Sequence, residues 1–280
     1  MSKLKFRLGL CLIFAISIAF AYYASLLSPA EQAMLAALLG ASWGKFAFFG
    51  FVNVENSLAN DDRAPHAPER LRVDLLPRSF IPFAGLVSLA THQSLRSSIW
   101  PALEVVGAIL GLSFVLINGV DVRFVCSMIL MYFLAQICVS DLRERLINER
   151  DLLALLVGAL GLSAVLPGFP LTAHEAVIGS LVGSGLLWMA QSIAETLTKG
   201  STVLGPGDIW LTAGIGAWVG YYILPVLLVA AFLACVQHLV SRAGFTSFEY
   251  IDRPQLLPFG PALSVAGFLG WMVLNQQHLV

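Results

Sequence analysis

Nine apolar runs leave this chain one kind of fold. They lie at about Leu8–Leu27, Ala33–Val54, Ile99–Ile117, Val122–Val139, Leu152–Leu166, Ala173–Ile193, Ile209–Tyr222, Leu224–Val240 and Leu257–Leu274. The hydrocarbon core of a bilayer is roughly 30 Å thick, and about 20 apolar residues in a helix cross it. The chain is 58% hydrophobic and 12% charged, whereas a soluble domain carries about 25% charged residues. The expectation is an all-α polytopic membrane bundle of eight or nine helices, buried against one another and against membrane lipid. The division near Gly220 and Pro225 is the least firm, because both residues break helices and the two pieces are short for a span.

The first run follows Lys3, Lys5 and Arg7. Ala19-Phe20-Ala21 has the form of a signal-peptide cleavage site, but the length of the run better fits a retained helix. Composition changes abruptly at Glu55. From there to Arg78 the chain is polar, with Asp61, Asp62, Arg63, Arg70 and Arg72, and prolines at 65, 68 and 77. An amphipathic stretch, Phe80–Leu95, follows. Three parts are expected: N-terminal transmembrane helices over 1–54, a cytoplasmic segment over 55–98, and a membrane domain over 99–280. If nine spans alternate, 14 of the 16 Lys and Arg residues fall on the N-terminal side of the membrane. That bias puts the N-terminus in the cytoplasm.

The net charge of −1 argues against nucleic acid as a partner. Cys11, Cys126, Cys138 and Cys235 all lie in apolar runs, and none forms a C-x-x-C pair. They read as small core residues. The five histidines are scattered, with no i, i+4 pair, so neither zinc nor another metal is expected.

Two carboxylates stand out against this apolar background. Asp208 follows Gly205, Pro206 and Gly207 and opens the seventh run. Asp141 closes the fourth run, in Ser140-Asp141-Leu142-Arg143-Glu144-Arg145. Two intervening spans return the chain to the same membrane face, so both residues are expected at the cytoplasmic ends of helices. An ionisable residue at such a place is a functional hypothesis by default. Two carboxyl groups about 3 Å apart cannot both ionise cheaply, so they share a proton. The ionised one can take a proton from water while the protonated one polarises a peptide carbonyl. Gly205 and Gly207 allow positive φ and a close backbone approach, so a substrate strand could lie against this turn. Read singly, Asp141 could instead be a solvated residue paired with Arg143 or Arg145, and Asp208 could simply cap its helix.

At these residues the sequence resembles the type IV prepilin peptidases, membrane aspartic proteases of the GxGD kind. The G-x-G-D motif reads Gly205-Pro206-Gly207-Asp208, followed by Gly214, Gly216 and Gly220. Asp141 matches the partner aspartate, with Leu146-Ile147-Asn148-Glu149 behind it. Leu257-Pro258-Phe259-Gly260-Pro261 resembles the start of the family's last helix, and Pro101-Ala102-Leu103-Glu104 the start of another. Phe51-Val52-Asn53-Val54 is a weaker match near the N-terminus. The likeness covers roughly Pro101 to Leu274. It implies an endopeptidase of the inner membrane, with Asp141 and Asp208 catalytic and Gly205, Pro206 and Gly207 at the active-site loop. Its substrates would be prepilins or pseudopilins, whose short basic leader it removes at the cytoplasmic face. The family's paired C-x-x-C motifs are absent, so no zinc is implied. S-adenosylmethionine is implied only if N-methylation is retained. Asn148 stands where the family usually has proline, and Trp210 where it usually has lysine. These two departures leave open a non-catalytic relative acting as an assembly or scaffold protein. A proton-coupled transporter is a further alternative, but it would place charges near the membrane midplane.

Other residues have plainer readings. Lys45 could snorkel to an interface or pair with a carboxylate, and snorkelling is the preferred expectation. Glu104 faces a similar choice near the start of its helix, where a negative charge is favourable anyway. Asp151 is expected to N-cap the fifth span. Glycines 158, 161, 179, 183 and 185 are expected at close helix contacts. Trp188, Trp210, Trp218 and Trp271 fit either an interface or a core.

Overall fold

The computed structural model describes residues 3–58, 99–144, 147–197, 204–242 and 259–277. These residues form nine α-helices, and no strand occurs among them. In chain order they are α1 (Lys3–Tyr23), α2 (Pro29–Leu58), α3 (Ile99–Asn118), α4 (Val122–Glu144), α5 (Glu149–Val165), α6 (Ala173–Leu197), α7 (Pro206–Val219), α8 (Ile223–Arg242) and α9 (Gly260–Gln277). The polar segment expected at 55–98 lies, from residue 59 on, outside the described residues. Five stretches are helical, long and apolar enough to cross a membrane: Arg7–Leu26, Pro29–Gly50, Val122–Leu142, Ala173–Leu197 and Pro206–Val240. The chain is a polytopic helical membrane protein. It divides into two compact units, Met1–Gln136 and Ile137–Val280, and the division falls within α4.

In the first unit, α2 begins where Ser28 and Glu31 cap each other's backbone amides. Pro29 occupies the first helical position, where no amide is needed. Its middle packs on α3 at backbone distance. A methyl group on Gly40 would lie 2.0 Å from the carbonyl oxygen of Gly107, and one on Gly44 would lie 2.1 Å from that of Leu103. Beside this seam Lys45 meets Glu104, with Nζ 3.8 Å from Oε1, and both side chains are buried. The preferred expectation that Lys45 snorkels is therefore overturned in favour of its alternative, pairing with a carboxylate. Its ammonium finds a carboxylate on the next helix, where a charge kept from water needs a partner.

The second unit is built around α7. Every residue from Leu211 to Val219 is buried, as befits a helix apolar on all sides. Its small residues admit the neighbours. Leu155 of α5 lies against Gly214, the backbone of α6 at Gly179 against Gly216, and Gly267 of α9 against Ile215. The indole nitrogen of Trp218 donates to the Leu155 carbonyl at 2.9 Å. Trp218 also meets Trp271 of α9 edge-on, with ring centroids 5.2 Å apart. So Trp218 and Trp271 are core, while Trp188 and Trp210 are exposed. Of the five glycines expected at close contacts, Gly179 and Gly183 are there, but a Cβ added at Gly158, Gly161 or Gly185 would meet no other element within 4 Å among the described residues.

The chain breaks at Gly220, not at Pro225. Gly220 adopts φ +57°, left-handed backbone that favours glycine. A short 3₁₀ turn, Gly220–Tyr222, leads into α8. Pro225 is the third residue of α8, in the first turn, where a missing amide costs nothing. The outer side of α8 carries Leu224, Leu228, Phe232 and Leu239, all exposed and apolar, as a lipid-facing surface requires.

Candidate active site

Asp208 is the third residue of α7. It does not sit at the N-cap, which is Gly205. From inside the first turn its carboxylate reaches back and accepts the Gly205 amide at 3.0 Å. Its own amide donates to the Gly205 carbonyl at 3.0 Å, and its carbonyl accepts the hydroxyl of Thr212 at 2.7 Å. The side chain is thus held on both sides of a tight turn, 8% exposed. The glycines of that turn work by leaving space. Gly205 has φ −79°, and neither Gly205 nor Gly207 is among the glycines with positive φ. The left-handed backbone these glycines allow is not used, and Gly207 already belongs to the helix. Its lack of a side chain leaves room for Ile147, whose atoms a Cβ there would meet at 3.3 Å. Pro206 takes the first helical position, with φ preset for the helix.

Asp141 lies near the end of α4 and is 6% exposed. One carboxylate oxygen accepts the amide of Gly260, the first residue of α9, at 2.9 Å. The first amides of a helix lack partners inside it, so a carboxylate from another helix completes this end. A Cβ on Gly260 would stand 2.7 Å from that oxygen and 3.1 Å from the Asp141 Cβ and Cγ. Only glycine lets α9 start this close. Each aspartate therefore has a carboxylate oxygen at the amide-bearing end of a helix, which favours negative charge. Asp141 also lies within electrostatic reach of Asp208.

The structure thus gathers Asp141, Asp208, Gly205 and Gly207 into one region of the second unit, with Ile147 and Gly260 against them. Gly260 belongs to the Leu257-Pro258-Phe259-Gly260-Pro261 motif, which by itself assigns it no role. Its place directly before a proline at a helix start was the available signal. Asn148 is the N-cap of α5 and accepts the Arg150 amide at 3.1 Å. The capping role expected of Asp151 belongs to Asn148, and Asp151 lies within the first turn. Trp210 points outward, 60% exposed. Among the described residues no group of three or more His, Cys, Asp or Glu side chains could hold a metal ion.

Comparison with known proteins agrees with this picture. Residues 128–240, which contain both aspartates, match the type IV leader peptidase family. A prepilin leader peptidase/N-methyltransferase of Dickeya chrysanthemi is 30% identical over 218 residues, covering 75% of this chain and 72% of that protein. The protein of the same description from Pectobacterium carotovorum subsp. carotovorum is 32% identical over 193 residues, covering 69% and 66%. That from Aeromonas hydrophila is 29% identical over 177 residues, covering 63% and 59%. The matched stretch thus spans 59% to 72% of the length of these three relatives. No solved structure matches the chain.

Proposed function

The chain belongs to the type IV leader peptidase family, and from that premise we propose that it is an aspartic endopeptidase of the inner membrane. Its substrates are prepilins or pseudopilins, and it removes their leader at the cytoplasmic face. One observation carries this reading: Asp141 and Asp208, both buried and each bonded to a backbone amide near a helix start, lie within electrostatic reach of one another.

The chemistry follows from the pair. One carboxyl is ionised and the other protonated, and the shared proton belongs to the dyad and to neither residue. The carboxylate takes a proton from water as the water oxygen bonds to the scissile carbonyl carbon. The protonated partner gives its proton to the carbonyl oxygen. In the second half the C–N bond breaks, and the departing amine takes the proton the first carboxyl gained from water. One hydroxyl of the tetrahedral carbon returns its proton to the ionised partner as the carbon becomes a carboxyl group, which restores the dyad. Gly205, where a Cβ would meet nothing closer than 3.6 Å, leaves the start of α7 open to a substrate backbone, while the space at Gly207 is taken by Ile147. The leader of such a substrate is basic and its mature part begins with an apolar helix, so its cleavage point lies at the membrane face. The bias of Lys and Arg toward the N-terminal side of the membrane supports a cytoplasmic N-terminus and, with alternating spans, both aspartates on that same face. Methyl transfer, the second activity in the relatives' names, would use S-adenosylmethionine, and no described residue is assigned to it. Asn148, a departure from the family pattern, is accounted for as a helix cap.

The test is incubation of the purified protein with a prepilin in detergent or lipid, reading leader removal by mass. Loss of the leader supports the proposal. An intact substrate, with a known peptidase active in parallel, overturns it.

A further inference from the structure

Ser264 is the one buried serine or threonine among the described residues whose hydroxyl has no hydrogen-bond partner. The other three, Ser17, Ser127 and Thr212, each turn the hydroxyl back onto the carbonyl four residues earlier, at 2.7 to 2.8 Å. Helices offer buried serines this local partner routinely. Ser264 is 4% exposed and does not take it. A hydroxyl buried without a partner is costly, and in protein interiors such groups are usually met by an internal water.

Its position gives that hydroxyl a use. Ser264 stands on α9 four residues after Gly260 and three before Gly267, a spacing that puts all three on one face. A Cβ on Gly260 would meet Asp141, and one on Gly267 would meet Ile215 of α7 at 2.9 Å. Ile215 lies two turns along α7 from Asp208. Ser264 is therefore one turn inward of the residue that bonds Asp141, on the face that α9 turns to the helix of Asp208. The nearby hydroxyl of Thr212 is committed to the Asp208 carbonyl.

We infer that Ser264 is a positioning residue whose hydroxyl holds a water one helical turn inward of Asp141 and Asp208. This deepens the peptidase reading and rests on it: the held water orients the attacking one. The experiment compares full-length wild type with Ser264→Ala and Ser264→Thr, measuring kcat and KM for prepilin cleavage and the melting temperature. Ser264→Ala should lose about ten-fold in kcat at unchanged KM and melt no higher than wild type. Ser264→Thr, which keeps the hydroxyl, should recover most of the loss. A Ser264→Ala enzyme with wild-type kcat overturns the inference, and so does a Ser264→Thr enzyme that melts like wild type yet is as slow as Ser264→Ala. If wild type itself cleaves no prepilin, the peptidase reading falls, and melting alone decides the water. A rise of about 4 °C in Ser264→Ala would reveal a dry, unsatisfied hydroxyl and overturn it. An unchanged or lower value supports it.

Discussion

The backbone amide of Gly260 donates to a carboxylate oxygen of Asp141 across 2.9 Å, joining the start of α9 to the end of α4. The contact has no slack, since a methyl group at 260 would stand 2.7 Å from that oxygen. Gly260→Ala should therefore displace the Asp141 carboxyl while leaving the helices formed. Small misplacements of a reacting group cost about 100-fold, and leader cleavage should fall by that order. Normal insertion with wild-type cleavage would show that this bond does not position Asp141.

Asp141→Asn and Asp208→Asn should each lower cleavage by at least about 1,000-fold, and the double variant should be little worse than either. The amide keeps the shape and can still accept a backbone amide, but it cannot take a proton from water. Glu149→Gln, at an exposed position in the first turn of α5, should retain most activity. Single-turnover rates on one prepilin would check all four proteins. An active single variant at either aspartate would remove the dyad.

Asn148 follows Ile147, which packs against Gly207, and caps α5. Asn148→Ala should lower stability by about 1 kcal/mol, and Asn148→Ser should restore most of it. Chemical denaturation in detergent would read the difference. If both variants are as stable as wild type, the cap does not matter to this helix.

Lys45 and Glu104 should behave asymmetrically. Lys45→Met alone strands a buried carboxylate and should cost about 3 to 5 kcal/mol, whereas Lys45→Met with Glu104→Leu should be close to neutral. Melting curves of the three proteins would show it. A double variant as damaged as the single one would point to a role for Glu104 beyond the pair.

Most helices were legible because the apolar runs are long, and the two aspartates stand out because they lie at the ends of such runs. What stayed hidden depends on which way a residue faces and on which helix lies opposite. Gly158 and Gly179 look alike in the sequence, yet only Gly179 meets a neighbouring backbone. Lys45 and Glu104 are far apart in the chain, and their pairing follows from the glycine seam between α2 and α3. Asn148 and Asp151 are both good caps one turn apart, and the choice between them rests on where α5 begins. The positive φ that Gly205 and Gly207 allow is not used at the G-x-G-D turn, whereas Gly220 adopts it where α7 stops.

The burial of α7 has a consequence for substrates. Leu211 to Val219 are enclosed on every side, and Gly216 is locked to Gly179 at backbone distance. On the peptidase reading, Asp208 is a tool mounted on a fixed post that can neither tilt nor slide toward the bond to be cut. All the adjustment falls to the substrate, which must fray the beginning of its own helix to bring an extended backbone to the turn at Gly205. Selectivity would then reside partly in the local stability of the substrate helix. Two leaders of identical sequence would be cut at different rates if the residues just after the cut held one helix closed and let the other open.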